Sequence, residues 1–178
     1  MSPYINPANA VTASRLLTLP PFLYFVHNST PENGYYQWAT LTIIACGLLD
    51  KVDGLVARIF KCGSNFGALL DAITDAICYS FCLLVLAIEG VIPWWGAAIV
   101  LGTGGLNSAM RVIYAKRAGQ AVNYHSYAME RLVTFVAFLA GMGINHYEVT
   151  YFFASFGSLM VVTLIHDAKR MLWDPVPA

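Results

Sequence analysis

The sequence predicts an all-α, polytopic membrane protein with six transmembrane helices and both termini cytoplasmic. Three observations lead there. Of the 178 residues, 58% are hydrophobic and only 11% are charged, against about 25% charged in an ordinary soluble domain. The apolar residues gather into runs of the length a membrane helix needs, about 20 residues. Every Lys and Arg falls toward the same side of those runs.

The runs cover roughly 8–27, 37–60, 65–88, 92–115, 127–145 and 149–168. The segments between them, HNSTPENG, KCGS, EGVIP, KRAGQAVN and GINH, carry turn chemistry. Asn9, Thr12, Ser14 and Arg15 make the start of the first run polar, so it is expected to begin as an interfacial helix before turning inward. Ser64 stands where it can cap the third helix. The length fits one domain spanning residues 1–178.

The basic residues set the orientation. They are Arg15; Lys51, Arg58 and Lys61; Arg111, Lys116, Arg117 and Arg131; and Lys169 and Arg170. The opposite loops carry Glu32, Glu89 and Glu148 and no Lys or Arg. Basic loops stay on the cytoplasmic side. Trp38, Trp94, Trp95, Tyr35 and Tyr36 supply an aromatic belt at the far side. A formal net charge of zero gives no whole-molecule attraction for nucleic acid, and no such partner is expected. The four cysteines lack zinc-site spacing, and Cys78 and Cys82 read as small apolar residues on one helix face. No basic segment precedes an apolar core at the N-terminus, so a cleaved signal peptide is not expected.

Against this apolar background four aspartates stand out. Asp50 and Asp53 are three apart and Asp71 and Asp75 four apart, so each pair shares a helix face. With a turn at Cys62-Gly63, an antiparallel hairpin sets Asp50 level with Asp75 and Asp53 level with Asp71. The nearer pair lies about 13 Å from the turn at 1.5 Å per residue. Four carboxylates in one low-dielectric layer need a compensating positive charge. Hard divalent cations with oxygen ligands, Mg²⁺ or Mn²⁺, suit them and commonly complete their shell with phosphate oxygens. The competing expectation is a structural salt-bridge network with Arg58 and Arg111. Gly54, Ala57 and Gly67 lie beside the carboxylates and leave room for close helix packing or for a ligand.

Asp50-x-x-Asp53-Gly54-x-x-Ala57-Arg58, eight residues, then Gly67-x-x-x-Asp71-x-x-x-Asp75 resembles the signature of the CDP-alcohol phosphotransferases, also called CDP-alcohol phosphatidyltransferases, at every specified position. Among them the chain is similar to phosphatidylglycerophosphate, phosphatidylinositol and phosphatidylinositol-phosphate synthases. The resemblance implies transfer of a phosphatidyl group from CDP-diacylglycerol to an alcohol, with release of CMP. It implies that Asp50, Asp53 and Asp71 hold one or two Mg²⁺ or Mn²⁺ ions, with Asp75 as general base and a further metal contact. Asp53, Gly54, Ala57, Arg58 and Gly67 would form the nucleotide site. It also implies a homodimer in a bacterial inner membrane or a eukaryotic endomembrane, its active site facing the cytoplasm.

The acceptor is less legible. Arg111, Lys116, Arg117 and Arg131 form a cationic cluster suited to an acceptor with its own phosphate, such as glycerol 3-phosphate. The same residues also serve as positive-inside anchors. Inositol, inositol phosphate or another small polar alcohol is the alternative acceptor. An ion or proton transporter would also bury carboxylates in a membrane, but near the midplane and with inverted repeats, which the sequence lacks.

Overall fold

A computed structural model of the chain describes residues 6–30, 32–117 and 146–173; helices joined by short turns make up those residues, with no strand among them. In chain order they form α1 (Pro7–Ser14), a 3₁₀ turn (Arg15–Thr18), α2 (Leu19–His27), α3 (Tyr35–Ile59), α4 (Asn65–Ile88), α5 (Trp94–Arg117) and α6 (His146–Trp173). The span expected at 127–145 lies outside the described residues. Among those described, α4 is the one helix both long and apolar enough to cross a membrane. Its bounds are those the sequence predicts. The helix α3 is as long, with 25 residues, but Asp50, Lys51, Asp53 and Arg58 crowd its C-terminal half.

The first run is not one helix. Pro20 and Pro21 occupy the start of α2, where the missing N–H groups deprive the carbonyls of Leu16 and Leu17 of their α-helical donors, and the Leu19 N–H bonds the Leu16 carbonyl instead. The chain tightens there into the 3₁₀ turn, whose geometry suits a short connection between two helix axes. Its N-terminal portion begins with an Asn6 cap: the Asn9 N–H donates to Asn6 Oδ1 at 2.8 Å, and Pro7 fills the first helical position. Both α1 and α2 pack against α3 and α4.

The apolar core gathers at the end of the bundle away from the α3–α4 turn. Phe22 and Val26 of α2 meet Ala39 and Ile43 from the start of α3, Leu83 and Leu86 from the end of α4, and Val100 of α5. All are almost fully buried. Phe153 of α6 closes this cluster against Gly96, where an added Cβ would stand 2.7 Å from the Phe153 ring. The same end carries the exposed Trp38, Trp94 and Trp95 and a hydrogen bond between His27 Nδ1 and Glu89 Oε1 at 2.8 Å. Polar chemistry is concentrated at the opposite end.

Candidate active site

The α3–α4 hairpin is fixed by a cap at each side of its turn. Lys61 adopts a left-handed conformation, φ 49°. The Cys62 N–H returns to the Ala57 carbonyl at 3.0 Å and the Lys61 N–H to the Arg58 carbonyl at 3.3 Å. These bonds satisfy the last carbonyls of α3 in the pattern usually built with Gly at the left-handed position. Three residues on, Ser64 is extended, and its Oγ accepts from the Gly67 N–H at 3.0 Å, starting α4 where the sequence predicts. Residues 60–64 link the two helices, so the turn falls at Cys62-Gly63 as the sequence predicts, with Lys61 supplying the left-handed residue.

This hairpin brings the four aspartates into one layer. Asp50, Asp53 and Asp71 each present a carboxylate oxygen within 4.8 Å of the others. Asp50 and Asp53 are buried; the Asp71 and Asp75 side chains are 28% and 16% exposed. The compensating charge comes from α1 and its turn. Arg15, completely buried, reaches all four: Nη1 lies 3.3 Å from Asp50 Oδ1, 2.9 Å from Asp71 Oδ1 and 3.9 Å from Asp53 Oδ2, and Nη2 bonds Asp75 Oδ1. Lys51 Nζ adds a 2.6 Å bond to Asp50 Oδ2 from the solvent side. Among the described residues, Arg15 and Lys51 are the cations set against the four carboxylates, and by formal charge a divalent ion would be accommodated beside them.

Thr12 completes the support. Its hydroxyl donates to Asp53 Oδ2 at 2.8 Å, and both residues are buried. Above Asp53 and Asp71 opens a cavity of about 210 Å³. The α1 residues Ala8, Asn9 and Thr12 form one wall, and Asp53, Gly54 and Ala57 of α3 another. Cys62, Gly63 and Ser64 form the floor at the turn, with Gly67, Ala68 and Asp71 of α4 opposite. A Cβ added to Gly54 would meet nothing within 4 Å, so packing does not require Gly there. One added to Gly67 would stand 2.9 Å from Asn9 Oδ1; there the small residue lets α1 close over α4.

The donor set fits a hard divalent ion. Oxygens on opposite sides of Mg²⁺ stand about 4.2 Å apart, from a Mg–O distance of roughly 2.1 Å. The Asp50–Asp53–Asp71 trio therefore reaches that spacing with small side-chain adjustments.

Of the other residues singled out in the sequence, Gly54, Ala57 and Gly67 line the cavity. Arg58 does not: it is exposed on the last turn of α3. Of the salt-bridge partners expected in Arg58 and Arg111, Arg58 stands away from the layer, where Arg15 and Lys51 pair with the aspartates, and the Arg111 side chain lies outside the described residues. Lys116 and Arg117 are exposed on the last turn of α5. Arg111 lies on α5 with its side chain outside the described set, and Arg131 lies outside the described residues altogether. In the sequence Thr12 reads as a polar residue at the start of a span, and Arg15 as that and as a cytoplasmic-side charge. Their spacing of three, which puts a hydroxyl and a guanidinium on one helix face in an apolar run, is the signal that would have found them.

The profile of the CDP-alcohol phosphatidyltransferase family matches residues 5–166. The chain belongs to that family. CDP-alcohol phosphatidyltransferases are enzymes, and similar proteins carry names of that kind. Over 101 residues, 54% of this chain and 46% of the relative, it is 34% identical to a Mycobacterium tuberculosis protein named a probable phosphatidylglycerophosphate synthase. Another M. tuberculosis protein, named as a cardiolipin synthase, is 33% identical over 87 residues, covering 49% of this chain and 40% of the relative. The CDP-diacylglycerol–glycerol-3-phosphate 3-phosphatidyltransferase of Pseudomonas fluorescens is 29% identical over 109 residues, 60% of this chain and 55% of the relative. The chain thus spans about half the length of the curated relatives it matches.

Proposed function

We propose that this protein is a membrane-embedded transferase that moves a phosphatidyl group from CDP-diacylglycerol to glycerol 3-phosphate and releases CMP. The observation that carries the reading is the layer of four aspartates at the mouth of the α3–α4 hairpin, opening on a cavity walled by small residues. Membrane embedding is supported by large apolar side chains left exposed along α3 and α4, among them Leu48, Leu55, Ile59, Ile73 and Ile77. The one-sided Lys and Arg distribution supports six spans with a cytoplasmic active site. The apolar stripe on α3 also suits a second copy of the chain, as expected for a homodimer.

Asp50, Asp53 and Asp71 would hold one or two Mg²⁺ or Mn²⁺ ions. Such ions would neutralise the charge that grows on the diphosphate as CMP leaves. Gly54, Ala57 and Gly67 leave the cavity open for the nucleotide. The acceptor oxygen forms a bond to the phosphorus of the phosphatidyl group while the bond from that phosphorus to the CMP oxygen breaks. Asp75 takes the hydroxyl proton, which requires a carboxylate within hydrogen-bond reach of the acceptor. Siting this chemistry at the cytoplasmic end lets a water-soluble acceptor meet a lipid donor whose tails stay in the bilayer, so positioning and electrostatics supply most of the rate.

Glycerol 3-phosphate is favoured by the names of the phosphatidylglycerophosphate synthase and 3-phosphatidyltransferase relatives, and by Lys116 and Arg117 exposed on the last turn of α5. A second reading, with phosphatidylglycerol as acceptor, is favoured by the cardiolipin synthase name. The test incubates purified protein with CDP-diacylglycerol, Mn²⁺ and one alcohol at a time: glycerol 3-phosphate, phosphatidylglycerol, inositol or inositol phosphate. CMP and phosphatidylglycerophosphate are expected in the first tube. CMP release with none of the alcohols would refute the transferase reading, and reaction with neutral alcohols alone would remove the role given to the basic cluster. Asp53→Asn should weaken metal-dependent CDP binding.

A further inference from the structure

Arg15 stands where a metal ion would. A single guanidinium nitrogen, Nη1, lies within 4 Å of one oxygen from each of Asp50, Asp53 and Asp71, the three carboxylates whose mutual spacing suits a divalent cation. Its neighbour Nη2 bonds Asp75. The guanidinium and a divalent ion cannot both crowd these oxygens, because like charges repel strongly where water is excluded. One must yield, and the covalently tethered one can only move aside.

The local chain has features that allow such movement. Arg15 begins the 3₁₀ turn between α1 and α2, and short 3₁₀ stretches inside helical segments often mark hinges. The two prolines that follow remove the helical hydrogen bonds that would stiffen the joint. Among the described residues, the buried Arg15 Nε has no hydrogen-bond partner, so this pose leaves part of the side chain unsatisfied by them.

We infer that Arg15 is a resident counter-ion: it holds the carboxylate layer together in the metal-free chain and gives up Asp50 and Asp71 when a divalent cation binds. This rests on the reading of the layer as a metal site and adds a competition that the metal must win. Arg15 then acts on binding as a positioning residue, and its removal should tighten metal binding rather than weaken it.

The experiment measures Mn²⁺ affinity and thermal stability of the full-length protein in detergent, without nucleotide, for the wild type, Arg15→Gln and Arg15→Lys. Two cations competing for shared ligands are coupled binding events, and such couplings span about 5- to 150-fold. Arg15→Gln is therefore expected to bind Mn²⁺ at least about fivefold more tightly. It should also melt lower than wild type without metal and gain more from Mn²⁺. Lysine keeps the charge but cannot fork to several carboxylates, so Arg15→Lys should fall between the two. If Arg15→Gln does not survive purification metal-free, it is prepared in Mn²⁺ and its affinity read by chelator competition. Equal or weaker Mn²⁺ binding by Arg15→Gln overturns the inference. Failure of all three proteins, wild type included, to bind Mn²⁺ overturns instead the metal reading on which it rests.

Discussion

Gly54→Ala separates room for a ligand from room for packing, because the two give opposite signs. Gly54 lies within the 25-residue helix α3, and a Cβ there would meet no atom within 4 Å. Replacing Gly by Ala inside a helix gains about 0.8–1 kcal/mol of intrinsic propensity. For a chain of this size that corresponds to a melting temperature higher by about 2–4 °C. The new methyl would intrude into a cavity of about 210 Å³ beside Asp53. Crowding a fitted site by one methyl typically costs about 1–3 kcal/mol. CDP affinity in the presence of Mn²⁺ should therefore fall by about 5- to 150-fold, at 1.4 kcal/mol per factor of ten. Thermal melting followed by tryptophan fluorescence and calorimetric titration with CDP read the two quantities on one preparation. A more stable protein with undiminished CDP affinity would refute the placement of the nucleotide beside Gly54. A less stable one would show that Gly54 serves helix packing.

Gly67→Ala is the counterpart: its Cβ would stand 2.9 Å from Asn9 Oδ1, so stability should fall by about 1 kcal/mol or more as α1 is pushed away, read by the same melt. Thr12→Val removes the 2.8 Å bond to Asp53, and hydrogen bonds to charged groups contribute about 1.5–3 kcal/mol. A melting temperature lower by about 3–12 °C is expected, with Thr12→Ser close to wild type; no change would mean that Asp53 does not need the hydroxyl. Asp75→Asn should lower transfer activity by at least about 10² while CDP binding stays largely intact, since Asp50, Asp53 and Asp71 keep their mutual spacing without it. Parallel loss of binding and rate would assign Asp75 to metal holding instead.

The parts of this architecture set by local pattern were legible in the sequence. An apolar run of membrane-helix length placed α4 at residues 65–88, and Ser64 announced its start through cap chemistry that depends on only a few neighbouring residues. Two aspartate pairs at helical spacing on either side of a short turn had to come level, whichever residue took the left-handed conformation. Arg15 was not legible in that way. Its role depends on the chain breaking at Pro20 and Pro21 and on α1 docking over the hairpin, a tertiary event that a span-by-span reading does not contain. Thr12 was missed for the same reason: its partner is 41 residues away. The general rule that an ionisable residue in an apolar run must pair with something held for Arg15 as firmly as for the aspartates. The expectation pointed to Arg58, which lies past the layer at the helix end, and to Arg111, whose side chain lies outside the described residues.

The apolar core and the carboxylate layer occupy opposite ends of the same helices. What makes the chain fold is thus largely separate from what makes it react. A lineage built on this frame can exchange one alcohol for another by rewriting residues around the charged mouth, leaving untouched the greasy half on which every descendant depends.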